Sequence, residues 1–281
     1  MVNAQDTVTG SAAAASSAKS WRASVQSERL RALLLTLASL MIGLAIWQFL
    51  SSVLFNPFLI PPPTEVFRTA LPMFATGEIF ADIGISMSRI LVGFISGSAA
   101  AIVIGVLLGR IRLLHDLLDP IIELLRYLSP TAMIPIAVIW FGIGELSKYF
   151  LIFWGTFFIV LVNTTAGVWR APVARQRAAE CLGANQLQIF TLVVIPSAVP
   201  YIVTGMRIAM ASSFMSIIPA EILAADSGIG YLLQKSSMLL QTSRIFVALV
   251  TICMLGFAVD RVFRFAVDRV LSRYMSFVSQ M

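Results

Sequence analysis

Few residues of this chain could do chemistry, and their apolar surroundings limit what kind. Arg126, Arg207 and Glu221 lie within or at the edge of long apolar runs. An unpaired charge at the centre of a bilayer costs about 2.5–3.5 kcal/mol on insertion scales, so such residues face a bundle interior or a wet cavity. Two roles follow: lining a path for a charged solute, or pairing with one another. Arg126 stands three residues after Glu123, the spacing of a helical ion pair, and we read it as a local structural pair. Arg207 sits near the start of its run, where snorkelling to the interface competes with a place in the path. Glu221, beside Pro219, either shapes the mouth or meets solute, and Asn163 and Thr164 offer neutral donors. Asn163, Thr164, Arg207 and Glu221 are therefore the candidate lining of a path. No metal site is expected, because His115 is the sole histidine and has no second His or Cys nearby. Cys181 and Cys253, both in or near apolar segments, cannot make a disulfide framework. No Lys follows a Gly anywhere, so the phosphate loop G-x-x-x-x-G-K-[ST] is missing and no catalytic residue is expected.

The elements that hold these residues are set by composition. The chain is 58% hydrophobic and 12% charged, with a mean hydropathy of +0.89. A soluble domain carries about 25% charged residues, so a soluble enzyme is excluded, as is a disordered chain. The expected fold is all-α, a polytopic membrane protein with six transmembrane helices. A span needs about 20 apolar residues, because every backbone N–H must be satisfied within it. Six stretches qualify: about residues 32–54, 90–109, 118–143, 149–168, 200–223 and 245–267. The third carries Asp119, Glu123 and Arg126 before its apolar run. Residues 56–64, with Pro61, Pro62 and Pro63, must stop the first helix. Residues 1–31 are polar, without hydrophobic period, and read as a flexible tail preceding a transmembrane domain over 32–281. A signal peptide is the competing reading, but no apolar core lies within the first 20 residues. Residues 225–243 read as a glycine-bearing loop. Gly105 and Gly109 could mark close helix contact in a dimer; we read them as ordinary glycine enrichment of membrane helices.

Charge sets orientation. With the N-terminus cytoplasmic, the inner segments hold Lys19, Arg22, Arg29, Arg31, Arg110, Arg112, Arg170, Arg175, Arg177, Arg261, Arg264, Arg269 and Arg273, which is 13 cations. The outer loops hold Arg68, Lys148, Lys235 and Arg244, which is 4. Arg89, Arg126 and Arg207 complete the 20. The positive-inside rule then places both termini in the cytoplasm. The net charge of +6 is explained by orientation rather than by nucleic acid.

The polar interval 169–197 between two spans is the most informative. Ala178, Ala179, Leu182, Leu187, Ile189 and Phe190 recur near helical spacing, while Arg177, Glu180, Asn185, Gln186 and Gln188 are polar. Gly183 lets two short pieces turn, and Pro196 and Pro200 flank the start of the next span. Such a helix can rest on lipid headgroups or fit a groove of a soluble partner. The segment resembles the EAA loop of permease subunits of bacterial ATP-binding-cassette importers: E-A-A, three residues, G, nine residues, I, one residue, L-P. Here Arg177-Ala178-Ala179, Gly183, Val193 and Ile195-Pro196 keep that spacing, with Arg177 where the motif has Glu. Further stretches are similar to permeases for nitrate, taurine and sulfonates: LIPPPT from Leu59, SMSRILVGF from Ser86, Leu118-Asp119-Pro120, the run from Pro135 to Gly144 with WFGIGE at its end, Leu182-Gly183-Ala184, PYIVTGMR from Pro200, Ala220-Glu221, and Gly228-Ile229-Gly230-Tyr231.

The resemblance implies a multi-pass permease of the bacterial inner membrane, a homodimer in contact with lipid, two ATPase subunits and an external solute-binding protein. ATP and Mg would be held by the ATPases, with no cofactor in this chain. It makes Arg177, Ala178, Ala179, Glu180, Leu182, Gly183, Ala184, Phe190 and Pro196 the ATPase-coupling set, and a small anion the solute. Two rivals come from other classes. A secondary transporter driven by an ion gradient would show internal repeats with broken helices, and no repeat is seen. A membrane-embedded enzyme would need a cluster of titratable groups within the spans.

Overall fold

The computed structural model describes residue 31 and residues 34–270. The expected tail over 1–31 lies outside the described residues apart from Arg31, and so do residues 271–281. The chain divides into two compact units after Val66.

The first unit holds helix α1, Leu34–Leu54, 21 residues long. Its last turn, Leu50–Leu54, widens to π-helix, and the Phe55 N–H bonds the Leu50 carbonyl at 3.0 Å. The Asn56 side chain then accepts from the Phe58 N–H at 3.0 Å and turns the chain. Ser51 Oγ donates to the Ile60 carbonyl, so the proline-rich turn folds back on its own helix. Helix α2, Pro63–Ala75, carries the boundary and starts at the last of the three prolines, where a missing N–H costs no helical bond.

The second unit is built around α3 (Glu78–Arg110), α6 (Glu145–Trp169) and α9 (Ile195–Ala224). Helix α3 has 33 residues, about 50 Å at 1.5 Å per residue. It starts well before the expected span 90–109, so Arg89 is inside it rather than at its edge. Small residues zip α3 onto α6. A Cβ added at Gly93, Gly97, Gly105 or Gly109 would sit 2.5–3.1 Å from Ile152, Thr156, Thr164 and Val168 side chains in turn. These glycines recur every fourth residue or its multiple on one face, and the order of their partners makes the two helices parallel. Gly105 and Gly109 thus have a packing task inside one chain, beyond ordinary enrichment. Helix α9 runs antiparallel, with Gly167 against Tyr201 and Gly205 against Asn163.

The expected third span needs correction. Residues 118–143 do not form one helix: α4 (Arg112–Leu125) and α5 (Ile134–Phe141) are separated by turns. Pro130 lacks the N–H that would continue α4, and Ser129 before it lies outside both helices, whereas Pro135 falls in the first turn of α5, where a missing N–H costs nothing. At 14 and 8 residues, about 21 and 12 Å, neither piece alone reaches across a 30 Å core. In series, however, they follow α6 along its length. His115 meets Trp169 with ring centroids 4.0 Å apart. Trp154 Nε1 donates to the Leu128 carbonyl at 3.0 Å. Met133, Ile134 and Ala137 pack on Leu151 and Ala220, and Phe141 meets Phe150 at 5.2 Å. Among the described residues five helices are long and apolar enough to cross a membrane: α1, α3, α6, the run Gln186–Ile222 and Thr242–Val267 of α11.

Two further expectations shift. The loop at 225–243 contains a helix, α10 (Ile229–Met238), followed by α11 (Thr242–Val270). Alternating glycines had hidden it. The interval 169–197 holds α7 (Val173–Cys181) and α8 (Gln186–Ile189), and a π-helical turn at Phe190–Val194 joins α8 to α9.

Candidate coupling face and translocation path

Helix α7 projects from the bundle with none of its residues buried. It ends in a left-handed turn: Gly183 has φ +81°, its N–H bonds the Glu180 carbonyl at 2.9 Å, and the Ala184 N–H bonds the Ala179 carbonyl at 3.0 Å. Those two bonds are a Schellman motif, which satisfies carbonyls the helix leaves free. A side chain at Gly183 would meet nothing within 4 Å, so glycine serves the backbone angle here. Gly183 lies beyond the helix rather than on one helical face with Ala179. Asn185 then starts α8 with a capping box: its side chain accepts from the Gln188 N–H at 2.8 Å, and the Gln188 side chain accepts from the Asn185 N–H at 2.8 Å.

The coupling candidates separate into an outward face and an anchor. Arg177, Ala178, Glu180, Leu182 and Gly183 are exposed, Leu182 to 88%. Ala179 and Ala184 are half-buried. Phe190 and Pro196 are half-buried on the bundle side. Phe190 joins the cluster of Val168, Ala171, Val194 and Ala198, and the Arg110 guanidinium lies 4.7 Å from its ring centroid. Trp169 Nε1 donates to the Gly109 carbonyl at 3.1 Å, and Gln176 Nε2 to the Ala171 carbonyl at 3.1 Å. The loop is thereby seated on the Arg110 ends of α3, α6 and α9.

The path candidates do not converge. Asn163 is half-buried, donates to the Ile159 carbonyl at 2.8 Å and packs on Gly205. Thr164 is fully buried against Gly105, and its hydroxyl finds no partner among the described residues. Arg207 is half-exposed and donates to Asp260 at 3.0 Å, beside a groove of about 400 Å³ between α9 and α11 lined by Met210, Phe214, Ile252 and Phe257. Arg126 pairs with Glu123 at 3.1 Å, the local pair its spacing predicts.

Glu221 belongs elsewhere, in an ionic cluster at the other end of the three-helix core. Its carboxylate is fully buried and accepts from Arg89 at 2.8 Å, from Ser86 Oγ at 2.8 Å and from the Gly230 N–H at 2.8 Å. Arg89, 2% exposed, also grips Glu145 through two parallel bonds of 2.7 Å and donates to the Ser227 carbonyl at 2.7 Å. Such a fork-to-carboxylate pair is among the strongest side-chain contacts. Lys148 donates to Glu145 at 2.8 Å. The Ile229 N–H donates to Ser86 Oγ at 2.9 Å and the Gly228 N–H to Asp82 at 2.8 Å.

The family description "Binding-protein-dependent transport system inner membrane component" matches residues 101–277, more than half of the chain. The chain belongs to this family. A probable ABC transporter permease protein of Brucella melitensis is 36% identical over 246 residues, 88% of this chain and 99% of that one. The taurine transport system permease protein TauC of Escherichia coli is 32% identical, covering 82% and 86% of the two chains. The nitrate import permease protein NrtB of Synechocystis is 32% identical over 79% and 83%. Among solved structures, the MetNI methionine ABC transporter in inward facing conformations matches with a TM-score of 0.60 at 18% identity, over 72% of this chain and 98% of that one.

The chain is thus a permease subunit of an ABC importer, and ATP hydrolysis is the work of a separate subunit. Sequence reasoning did not bring Ser86, Arg89, Glu145 and Lys148 together around Glu221. The signal was present: SMSRILVGF, WFGIGE, Ala220-Glu221 and Gly228–Tyr231 had each carried the resemblance separately, and these four stretches meet in one cluster.

Proposed function

We propose that two copies of this permease form the membrane path of an importer that takes a small anion from an external binding protein. Two ATPase subunits dock on the exposed face of α7 and on the turn at Gly183. The exposure of that face, on a loop firmly seated on the bundle, is the single observation that carries the reading. Leu182 at 88% and Leu187 at 58% exposure are apolar side chains in need of cover. Lipid headgroups are a poorer match, because Arg177, Glu180 and Gln186 are interspersed with them rather than segregated to one face. The permease lies in the inner membrane with six crossings and both termini cytoplasmic, α4 and α5 together supplying the third crossing.

The anion assignment draws on relatives whose names specify taurine, aliphatic sulfonates and nitrate. Of the four path candidates, Arg207 keeps a half-exposed guanidinium beside a groove, whereas Asn163, Thr164 and Glu221 spend their polar groups or their surface on packing. Proteoliposomes containing this chain, the neighbouring ATPase and the binding protein should accumulate taurine, an alkanesulfonate or nitrate only with ATP inside. Uptake by the permease alone, driven by an ion gradient, would refute the proposal.

A further inference from the structure

We infer that Arg89 is a positioning residue for the outer mouth: it fastens the turn 226–230 and the following α10 to the α3–α6–α9 core, so that this mouth element moves with the docking end as one body. The inference rests on the import reading above and adds to it a task for residues outside the coupling loop.

The turn is held directly from two helices, α3 and α9, and through Arg89 from a third, α6. Arg89 and Ser86 on α3 take the Ser227 carbonyl and the Ile229 N–H, Asp82 takes the Gly228 N–H, and Glu221 on α9 takes the Gly230 N–H. Glu145 on α6 holds the other edge of the Arg89 guanidinium. The backbone must come this close: a Cβ at Gly228 would run into the Glu221 carboxylate, and one at Gly230 would lie 2.7 Å from Glu221 Cβ. Helix α10 extends this hold, with Ile229, Leu232 and Ser236 buried among α3, α9 and α11.

The same three helices carry the seat of the coupling loop at their other ends. Arg89 and Arg110 are 21 residues apart on α3, about 32 Å along a continuous helix. Glu145 and Trp169 terminate α6, and Ala198 and Glu221 lie in α9. At the glycine contacts these helices approach so closely that an added Cβ would clash, and interiors packed this densely transmit displacement. A displacement at the docking end therefore reaches α10 through rigid struts, provided that the Arg89 cluster holds the turn.

The test uses the complete complex in nanodiscs, with Cys181 and Cys253 replaced by Ser and Met238→Cys as a reporter on α10, where Met238 is 73% exposed. The rate of labelling by a membrane-impermeant maleimide is compared without nucleotide and after trapping with ATP and vanadate. The background complex should change rate at least fivefold between the two states. In Arg89→Lys, which keeps the charge and loses the fork, the change should fall below twofold. Recovery of the complex and basal ATP hydrolysis should hold, while hydrogen exchange at the 228–230 amides accelerates about tenfold. Should Arg89→Lys fail to assemble, Asp82→Asn, which weakens only the hold on Gly228, should reduce the change in the same direction. A full nucleotide-dependent change in either assembled variant overturns the inference alone. A background complex whose labelling ignores ATP and vanadate overturns the import reading and the joint movement together.

Discussion

The Arg89 guanidinium lies 2.8 Å from the Glu221 carboxylate, 132 residues away in sequence, and both side chains are almost wholly withdrawn from the surface. Removing one partner of a buried, hydrogen-bonded ion pair leaves the other uncompensated, at a cost of about 3–5 kcal/mol. Glu221→Ala should lower the thermal unfolding midpoint of the purified permease clearly and reduce its yield. Glu123→Ala, which breaks the more exposed pair with Arg126, should leave the midpoint nearly unchanged, because water screens an exposed pair. Differential scanning of both variants in one detergent makes the comparison, and equal midpoints would show that the buried pair carries no special weight.

Gly183 is bound to its place by backbone angle. At φ +81° an L-residue other than Asn or Asp loses about 1–2 kcal/mol. Gly183→Ala should weaken recovery of the ATPase several-fold on purification, and Gly183→Asn should retain most of it, with the permease itself inserted normally in both. If Ala and Asn behave alike, the left-handed turn is not what the docking contact needs.

The α3–α6 seam makes a position-specific forecast. A methyl at Gly109 would stand 2.5 Å from Val168 Cβ, whereas one at Gly84 on the same helix would meet nothing within 4 Å. Gly109→Ala should destabilise the permease by about 1–3 kcal/mol through overpacking. Gly84→Ala should be neutral or stabilising by about 0.5–1 kcal/mol, as expected for helical Gly→Ala. Thermal unfolding of the two variants decides it, and a neutral Gly109→Ala would mean that the helices are not in contact there.

Arg207 and Asp260 form a half-exposed pair, worth about 0–1 kcal/mol. Arg207→Gln should therefore leave assembly and stability nearly unchanged yet lower anion uptake more than Arg207→Lys does. Uptake kinetics with labelled taurine or nitrate would show it. Equal uptake by both variants and the unaltered permease removes Arg207 from the path.

Long-range apolar patterning made most of the helical frame legible. The runs behind α1, α6, α9 and α11 are continuous, so length alone located them. The ends were harder. Glu78–Ser88 extends α3 beyond the apolar stretch, because amphipathic turns outside the hydrocarbon core need no apolar run. Pro130 stands between α4 and α5, but the apolar run 132–143 that follows it suggested one span. The two short helices of 169–197 were legible because the turn between them is local: the bonds that close it at Gly183 join residues within five positions. The Arg89 cluster was not, since Arg89 reaches partners 56 to 138 positions away and no spacing rule joins them.

Site-specific cross-linking at Leu182 tests docking most directly. With Cys181 and Cys253 replaced by Ser and Leu182→Cys introduced and labelled with benzophenone-maleimide in inverted membrane vesicles, irradiation should join the permease to its ATPase, because the photoactivated ketone inserts into a nearby C–H bond and needs no second thiol. The exposed cysteine should also be protected from maleimide when the ATPase is bound. A Leu182→Cys that reacts fully with impermeant maleimide from the periplasmic side, and never cross-links to the ATPase, would contradict both the orientation and the docking face.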